Sequence, residues 1–126
     1  MQLKRVVVTG MGALTPIGNN LEAYWEGLRT GKSGCAPITY FDTEKFKTKF
    51  ACELKGYDPN DFFDRKEVRK LDRFAQYALV SSDEAIADSG IDLDHVDKFR
   101  VGVIWGAGIG GLETFQNEVI GYAEGD

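Results

Sequence analysis

Residues 5–12 read RVVVTGMG and residues 100–111 read RVGVIWGAGIGG, and these two stretches decide the fold class. In each stretch, a run of β-branched and other apolar residues ends in glycines. Continuous apolar runs of this length, bounded by glycine, are typical of strands that are buried on both faces of a sheet. We therefore predict strands at 5–9 and 100–105. Each precedes a glycine turn in which the backbone bends sharply or approaches another group closely.

Between these two runs, the apolar residues recur mostly at the spacing of α-helices. One helix is predicted from an N-cap at Asn20 to a stop at Thr30-Gly31, on the apolar residues Leu21, Tyr24, Trp25 and Leu28. A second is predicted as one continuous helix from about Lys66 to Asp88, ending at Gly90, and a third opens at Leu112 and runs to Ala123. Residues 50–54 alternate as in a short strand. Strands separated by helices predict an α/β layered architecture. No boundary divides residues 1–126.

Composition limits the possible functions. The 126 residues (14.0 kDa) carry a net charge of −5 and a pI near 4.9, which does not fit a general nucleic-acid binder. No apolar stretch is long enough to span a membrane, and the first one is too short for a signal peptide. Two cysteines, Cys35 and Cys52, form no disulfide framework and fit a reducing compartment. We therefore expect a cytoplasmic chain.

The turn at residues 106–111, GAGIGG, matches the pattern G-x-G-x-x-G. After a strand and before a helix, such glycines can let backbone amides approach the pyrophosphate of a dinucleotide. A tight strand-to-helix turn beside packed elements requires the same glycines, so both interpretations remain open here. The turn at residues 9–18 does not fit the dinucleotide pattern, because Pro16 stands where the phosphate-binding helix would run.

Several motifs occur in an order that is itself specific: TGMG at 9–12, TPIG at 15–18, GKSG at 31–34, RKLDRFAQYA at 69–78 and GAGIGG at 106–111. Together they resemble the N-terminal part of the β-ketoacyl-acyl-carrier-protein synthases, and the elongating type II synthases most. The resemblance implies a thiolase-like fold with α/β/α/β/α layers, of which this chain would be an incomplete N-terminal part. It also implies a decarboxylating Claisen condensation in fatty-acid elongation, a homodimer and an acyl carrier protein as partner. No cofactor is expected, because phosphopantetheine arrives on the carrier.

The resemblance also implies that the catalytic groups lie elsewhere. The family's nucleophilic cysteine and two histidines fall beyond residue 126, so we expect no catalytic residue in this chain. Cys35 and Cys52 match no catalytic motif and are predicted to be small apolar fillers. His95 is predicted to be a loop residue. A metal site is not expected, because no Cys/His cluster with ligand spacing exists. A non-catalytic partner of the same superfamily, such as a chain-length factor, remains an alternative.

Two surfaces of this segment could still contribute to function. Residues 64–73 hold five basic and three acidic residues, a net charge of +2 against −7 for the rest of the chain. Helical spacing places the basic residues Lys66, Arg69, Lys70 and Arg73 on one face, which is either a solvated face or a docking site for an acidic partner. The resemblance assigns Lys66, Arg69 and Lys70 to carrier-protein docking. It assigns Ile109 to the acyl pocket, where it shifts for longer chains, whereas without the resemblance Ile109 would be a core plug.

Overall fold

The computed structural model describes residues 3–125. Its elements are four α-helices, α1 (Leu21–Arg29), α2 (Arg65–Lys70), α3 (Arg73–Ser89) and α4 (Leu112–Glu124), two short strands, β1 (Ala36–Pro37) and β2 (Phe50–Ala51), and two 3₁₀ turns, Pro59–Asp61 and Lys98–Arg100. The strands form an antiparallel pair in which Ala36 faces Ala51 and Pro37 faces Phe50. The alternation at 50–54 thus gives a strand, but only over its first two residues.

Local signals explain where the helices begin and end. The side chain of Asn20 accepts a hydrogen bond from the amide of Ala23 (2.8 Å), which confirms the predicted N-cap of α1. Thr30 is its C-cap, as predicted. Gly90 adopts φ 62° and ends α3, a backbone conformation that glycine tolerates and other residues rarely adopt. The predicted third helix is also present, as α4.

The long helix predicted from Lys66 to Asp88 is wrong in one respect, because it is divided in two. Leu71 leaves the helical region with ψ 120°, and Asp72 follows with ψ 154° as the N-cap of α3. The carboxylate of Asp72 accepts a hydrogen bond from the amide of Phe74 (3.3 Å), so a new helix starts at Arg73. The apolar spacing continues through this break, so periodicity alone did not reveal it.

The strands predicted at 5–9 and 100–105 are not formed in the chain that the structure describes. A strand requires a hydrogen-bonded neighbour, and within residues 3–125 neither run pairs with another segment. Their apolar side chains remain in solvent, with Val6 91% exposed and Ile104 100% exposed. Residues 3–125 therefore do not show the predicted layers, and the faces of these runs stay uncovered.

The glycine-rich stretch before α1 packs closely against α3. A Cβ on Gly10 or Gly12 would overlap the backbone of α3, so only glycine allows this close approach. The buried apolar residues of the described chain are Ala13 in this stretch and Ala78 and Val80 on α3. The close approach predicted for this turn is confirmed.

Residues 15–18 form a tight loop closed by reciprocal backbone hydrogen bonds between Thr15 and Gly18 (2.9 and 3.1 Å).

Candidate functional site

The three basic residues on α2 form an exposed surface. Lys66, Arg69 and Lys70 have the spacing of one helical face, all three are exposed, and we call this surface the basic face. The nearby acidic residues form hydrogen bonds with backbone amides at the N-terminal end of α2. Asp64 accepts from the amides of Lys66 (2.7 Å) and Glu67 (2.8 Å), and the Glu67 carboxylate reaches back to the Asp64 amide in a capping box.

This arrangement leaves the last turn of α2 basic, although Lys66 lies in the first turn between the two acidic residues. Asp64 and Glu67 stand at the N-terminal end, where negative charge suits the helix dipole, and Arg69 and Lys70 stand in the last turn, where positive charge does. The acidic residues therefore support the start of the helix instead of neutralising its basic end. The basic face can attract an anionic surface on a partner.

Gln76 fixes the end of α2 against α3. Its side chain is 4% exposed, and its amide nitrogen donates to the carbonyl of Leu71 (2.9 Å) and, at a longer distance, to that of Val68 (3.4 Å). Its amide oxygen accepts from the hydroxyl of Tyr57 (3.2 Å). Because a buried amide without partners would be costly, this hydrogen-bonded Gln76 holds the basic face at a defined angle to α3.

Arg73 does not belong to the basic face, contrary to the spacing argument. It follows the break, lies on α3, and pairs with Glu113 at the start of α4 (2.7 Å). Its guanidinium also lies 4.7 Å from the centroid of the Tyr40 ring, a cation–π distance. On the same helix, burial is the main cause that raises the pKa of Tyr77 to about 12, and the neighbouring Tyr40 adds to the effect.

Asp72 joins two helix N-termini. One carboxylate oxygen accepts from the amide of Phe74 on α3 (3.3 Å), and the other accepts from the hydroxyl of Thr114 on α4 (2.6 Å). The hydrogen bond from Thr114 is the main cause that lowers the pKa of the Asp72 carboxyl, with help from the backbone amides of Phe74, Thr114 and Gly111. The carboxylate is therefore firmly ionised at neutral pH.

The position of Asp72 bears on the glycine turn at 106–111, which we call the glycine loop. Gly111, with φ 76°, is the N-cap of α4 and supplies no side chain for capping, and the carboxylates of Asp72 and of Glu113 in the first turn provide negative charge at this helix N-terminus. A pyrophosphate would have to occupy the same region against a fixed anion. The structure therefore disfavours the dinucleotide interpretation of this turn.

Ile109 lies on the glycine loop and is 78% exposed. It is not a plug in the core of residues 3–125. The end of the loop packs closely against α3, because a Cβ at Gly110 would lie 2.8 Å from the Phe74 ring, whereas a Cβ at Gly106 or Gly108 would meet nothing within 4 Å in the described chain. The assignment of Ile109 to an acyl pocket stays a prediction.

A cleft brings the basic face and the end of the glycine loop together. It has a volume of about 520 Å³ and is lined by both charged and apolar groups, among them Arg69, Lys70, Arg73, Gly111 and Thr114. Two of the three predicted docking residues thus border the same cleft as the helix that follows the glycine loop. Lys66 is not part of its lining.

The remaining candidate residues, Cys35, Cys52 and His95, do not line this cleft. Cys35 and Cys52 are free and exposed, so the prediction that they fill a core is wrong for residues 3–125. His95 lies in a loop, as predicted, and contacts Asp92 (2.6 Å). Within the same range, no group of three or more potential metal ligands occurs. None of the helices at 3–125 is long and apolar enough to cross a membrane.

The sequence analysis did not predict that Asp72 and Gln76 connect neighbouring helices through hydrogen bonds. A signal for Asp72 was present, since an aspartate directly before a periodic apolar run is a typical N-cap. It was overlooked because the preceding residues also fit a helix. Gln76 offered no such signal, because its role depends on the carbonyl groups that α2 leaves without partners at its end.

Comparison with known proteins identifies the family. Residues 3–124 match the family described as β-ketoacyl synthase, N-terminal domain. A relative from Synechocystis sp., 3-oxoacyl-[acyl-carrier-protein] synthase 2, is 43% identical over 118 residues, which cover 94% of this chain and 28% of the relative. The chain thus spans less than a third of the length of this relative.

Solved structures of the same class resemble the fold. The ishigamide ketosynthase/chain length factor aligns with a TM-score of 0.63 and 39% identity, over 70% of this chain and 22% of that one. A ketosynthase solved in complex with its acyl-carrier protein, from a type II polyketide synthase, aligns with a TM-score of 0.57 and 27% identity, over 76% of this chain and 25% of that one. The match over residues 3–124 shows that this chain belongs to the β-ketoacyl synthase family and lies in its N-terminal domain.

Proposed function

We propose that this chain forms the N-terminal part of a 3-oxoacyl-[acyl-carrier-protein] synthase of type II, which elongates fatty-acyl chains. The observation on which the proposal rests is the family match over residues 3–124, together with a relative of that name at 43% identity. The geometry adds an exposed basic face beside a cleft, which suits an enzyme whose substrates arrive on an acidic carrier.

The reaction has two halves. A cysteine thiolate attacks the thioester of an acyl carrier protein, forms an acyl-enzyme and releases the carrier thiol. Malonyl carrier protein then loses carbon dioxide, and the resulting enolate attacks the acyl-enzyme thioester. This attack forms the carbon–carbon bond and a tetrahedral intermediate, and collapse of the intermediate breaks the carbon–sulfur bond and returns the cysteine thiolate. In the proposal, the cysteine and two histidines belong to a part of the protein beyond residue 126, and the histidines assist decarboxylation and stabilise negative charge.

The basic face is the proposed docking site for the carrier. Lys66, Arg69 and Lys70 are exposed, and the nearby carboxylates of Asp64 and Glu67 are engaged in the capping box of α2. A local basic surface on an acidic chain would steer one acidic partner without attracting nucleic acid in general. In a solved complex, a related ketosynthase binds its acyl-carrier protein.

Ile109 is the proposed acyl-pocket residue of this segment. Its exposure leaves it available to line a cavity with other parts of the protein, and the glycines at 106 and 108 leave room around its loop. Movement of the Ile109 side chain would then determine how long an acyl chain the pocket accepts.

The complete protein has, in this proposal, the five-layer thiolase-like arrangement, in which the apolar runs at 5–9 and 100–105 become central strands. The 91% exposure of Val6 and the 100% exposure of Ile104 support this, because such side chains require cover. The protein would act in the cytoplasm as a homodimer, with no cofactor other than the phosphopantetheine of its carrier. A chain-length factor would share this fold and lack the nucleophile.

A condensation assay tests the proposal. The whole protein, given an acyl carrier protein as primer and malonyl carrier protein, should release carbon dioxide and form the 3-oxoacyl carrier product in equal amounts. Absence of the product from a folded whole protein would contradict the proposed enzyme. In that case, restoration of condensation by an added active ketosynthase partner would identify a chain-length factor instead.

A further inference from the structure

Three consecutive residues at the start of α3 contact the start of α4 and the end of the glycine loop. Asp72 accepts from the Thr114 hydroxyl (2.6 Å), Arg73 pairs with Glu113 (2.7 Å), and the ring of Phe74 lies directly against Gly110. We call these three pairs the α3–α4 contact. They connect segments about forty residues apart in the chain and combine a charge-assisted hydrogen bond, an ion pair and close packing.

The α3–α4 contact holds the C-terminal end of the glycine loop. Gly110 lies against the Phe74 ring, Gly111 lies near the Asp72 carboxylate, and Ile109 directly before them is 78% exposed within residues 3–125. A change at the α3–α4 contact is therefore transmitted to Ile109 through Gly110. The strength of the α3–α4 contact should therefore determine how easily Ile109 moves.

We propose that Asp72 is a positioning residue that, through Thr114, sets the position of the Ile109 loop and thereby the preference for acyl chain length. This rests on the proposed function, in which Ile109 lines the acyl pocket. The carboxylate acts from a fixed site, because its second oxygen is held by the Phe74 amide at the start of α3 (3.3 Å). Weakening the hydrogen bond to Thr114 should let the loop move aside more readily, which favours long acyl chains.

The test uses the whole protein and isosteric substitutions. Thr114→Val removes the hydroxyl donor and keeps the shape, and Asp72→Asn keeps an oxygen for the Phe74 amide while it replaces the acceptor opposite Thr114 with an amide nitrogen. Thr114→Ser retains the hydroxyl and serves as the conservative variant. Asp58→Asn is the matched control, because Asp58 caps the separate turn at Pro59–Asp61 through the Asn60 amide (2.8 Å).

Two measurements are combined. Hydrogen exchange of amides 111–115 should accelerate in Thr114→Val and Asp72→Asn and stay at the parent rate in Thr114→Ser and Asp58→Asn. The ratio of kcat/KM for a long over a short acyl primer should rise in the same two variants, by about three- to tenfold, as expected when part of a charge-assisted hydrogen bond is lost. A merely structural role would accelerate exchange or lower stability without changing this ratio.

The outcomes separate the inference from the proposed function. Unchanged exchange in both Thr114→Val and Asp72→Asn would show that the hydrogen bond does not hold the loop and would overturn the inference. An unchanged or lowered ratio in these variants, while Ile109→Phe does alter the ratio, would overturn the positioning role and leave the acyl pocket intact. An unaltered ratio in Ile109→Phe would remove the acyl-pocket assignment, and the inference with it.

Discussion

One carboxylate oxygen of Glu84 accepts a hydrogen bond from the backbone amide of Leu21 (2.7 Å), although 63 residues separate them in the chain. Its other oxygen accepts from the amide of Ala13 (2.7 Å). Glu84 lies on α3, Leu21 is the first residue of α1, and Ala13 belongs to the glycine-rich stretch before it. A single half-buried side chain thus places a negative charge at the N-terminus of α1 and ties the preceding loop to α3.

Replacement of Glu84 by Gln should lower the stability of the whole protein. The Gln side chain keeps one acceptor but presents an amide nitrogen to the second amide, so one charge-assisted hydrogen bond is lost. We expect a decrease of about 1–3 kcal/mol in the free energy of unfolding, measured by urea denaturation. Asp83→Asn, at an exposed neighbouring position, is the matched control and should change stability by less than about 0.5 kcal/mol. Equal effects of the two substitutions would show that the Glu84 hydrogen bonds do not stabilise the fold.

The helices were largely predictable from the sequence because their end signals are local. Asn20 as N-cap, Gly90 as C-terminal stop and the start near Leu112 each depend on a few neighbouring residues. The break at Leu71–Asp72 was missed, since the apolar spacing runs through it. The partners of Glu84 and Asp72 could not be predicted, because hydrogen bonds between segments that are 40 or more residues apart leave no periodic pattern in the sequence.

The predicted sheet could not be derived from local sequence signals alone. The runs at 5–9 and 100–105 have the composition of buried strands, but composition does not supply the neighbour that a strand pairs with. Residues 3–125 contain no segment that pairs with them. Likewise, the basic face could be predicted from helical spacing, whereas the separation of Arg73 from it required knowledge of the break. The acyl-pocket role of Ile109 derives from the resemblance alone.

The isolated chain of residues 1–126 should be inactive in condensation and poorly soluble. It would lack the nucleophilic cysteine and the histidines, and large apolar side chains such as Val6, Phe99 and Ile104 are almost fully exposed. Exposed apolar surface of this kind promotes association. Size-exclusion chromatography should show oligomers or aggregates. A soluble monomer with a sharp two-state melt, or formation of 3-oxoacyl product, would contradict this prediction.

Substitution of Ile109 by Phe should discriminate against long acyl primers. The larger ring reduces the space that a long chain needs, and overpacking typically costs about 1–3 kcal/mol. When the long-chain complex bears this cost, kcat/KM for long primers falls roughly five- to a hundredfold. Short primers and malonyl decarboxylation should change little. Acylation rates with a short and a long primer, alongside a melt, provide the measurement. Ile91→Phe is the control, and equal losses at every chain length together with a lower melting temperature would indicate a core role for Ile109.

Acid should weaken the contribution of Asp72 to stability. Its pKa is lowered in the folded protein, chiefly by the Thr114 hydroxyl, so the carboxylate stabilises the fold fully above the pKa of an unfolded aspartate, about 3.9. This contribution is lost as the pH falls below that value and through the lower pKa of the folded state. The difference in melting temperature between the parent protein and Asp72→Asn should therefore shrink from pH 6 to pH 3. A difference that stays constant over this range would show that the charge of Asp72 does not contribute.

The most direct test of the proposed carrier-docking role of α2 is a comparison of substrates with and without the carrier protein. Lys66, Arg69 and Lys70 are reversed to Glu in the whole protein, and Lys4, Lys45 and Lys47, exposed positions outside α2, are reversed in a control with the same change of charge. The α2 variant should lose kcat/KM for carrier-borne primers, mainly through slower association. The loss should shrink as salt is raised, because exposed charges are screened over about 10 Å at 0.1 M. Primers on a short pantetheine should react almost as with the parent protein. Equal losses for carrier-borne and pantetheine-borne primers, or the same loss in the control variant, would contradict docking at the basic face.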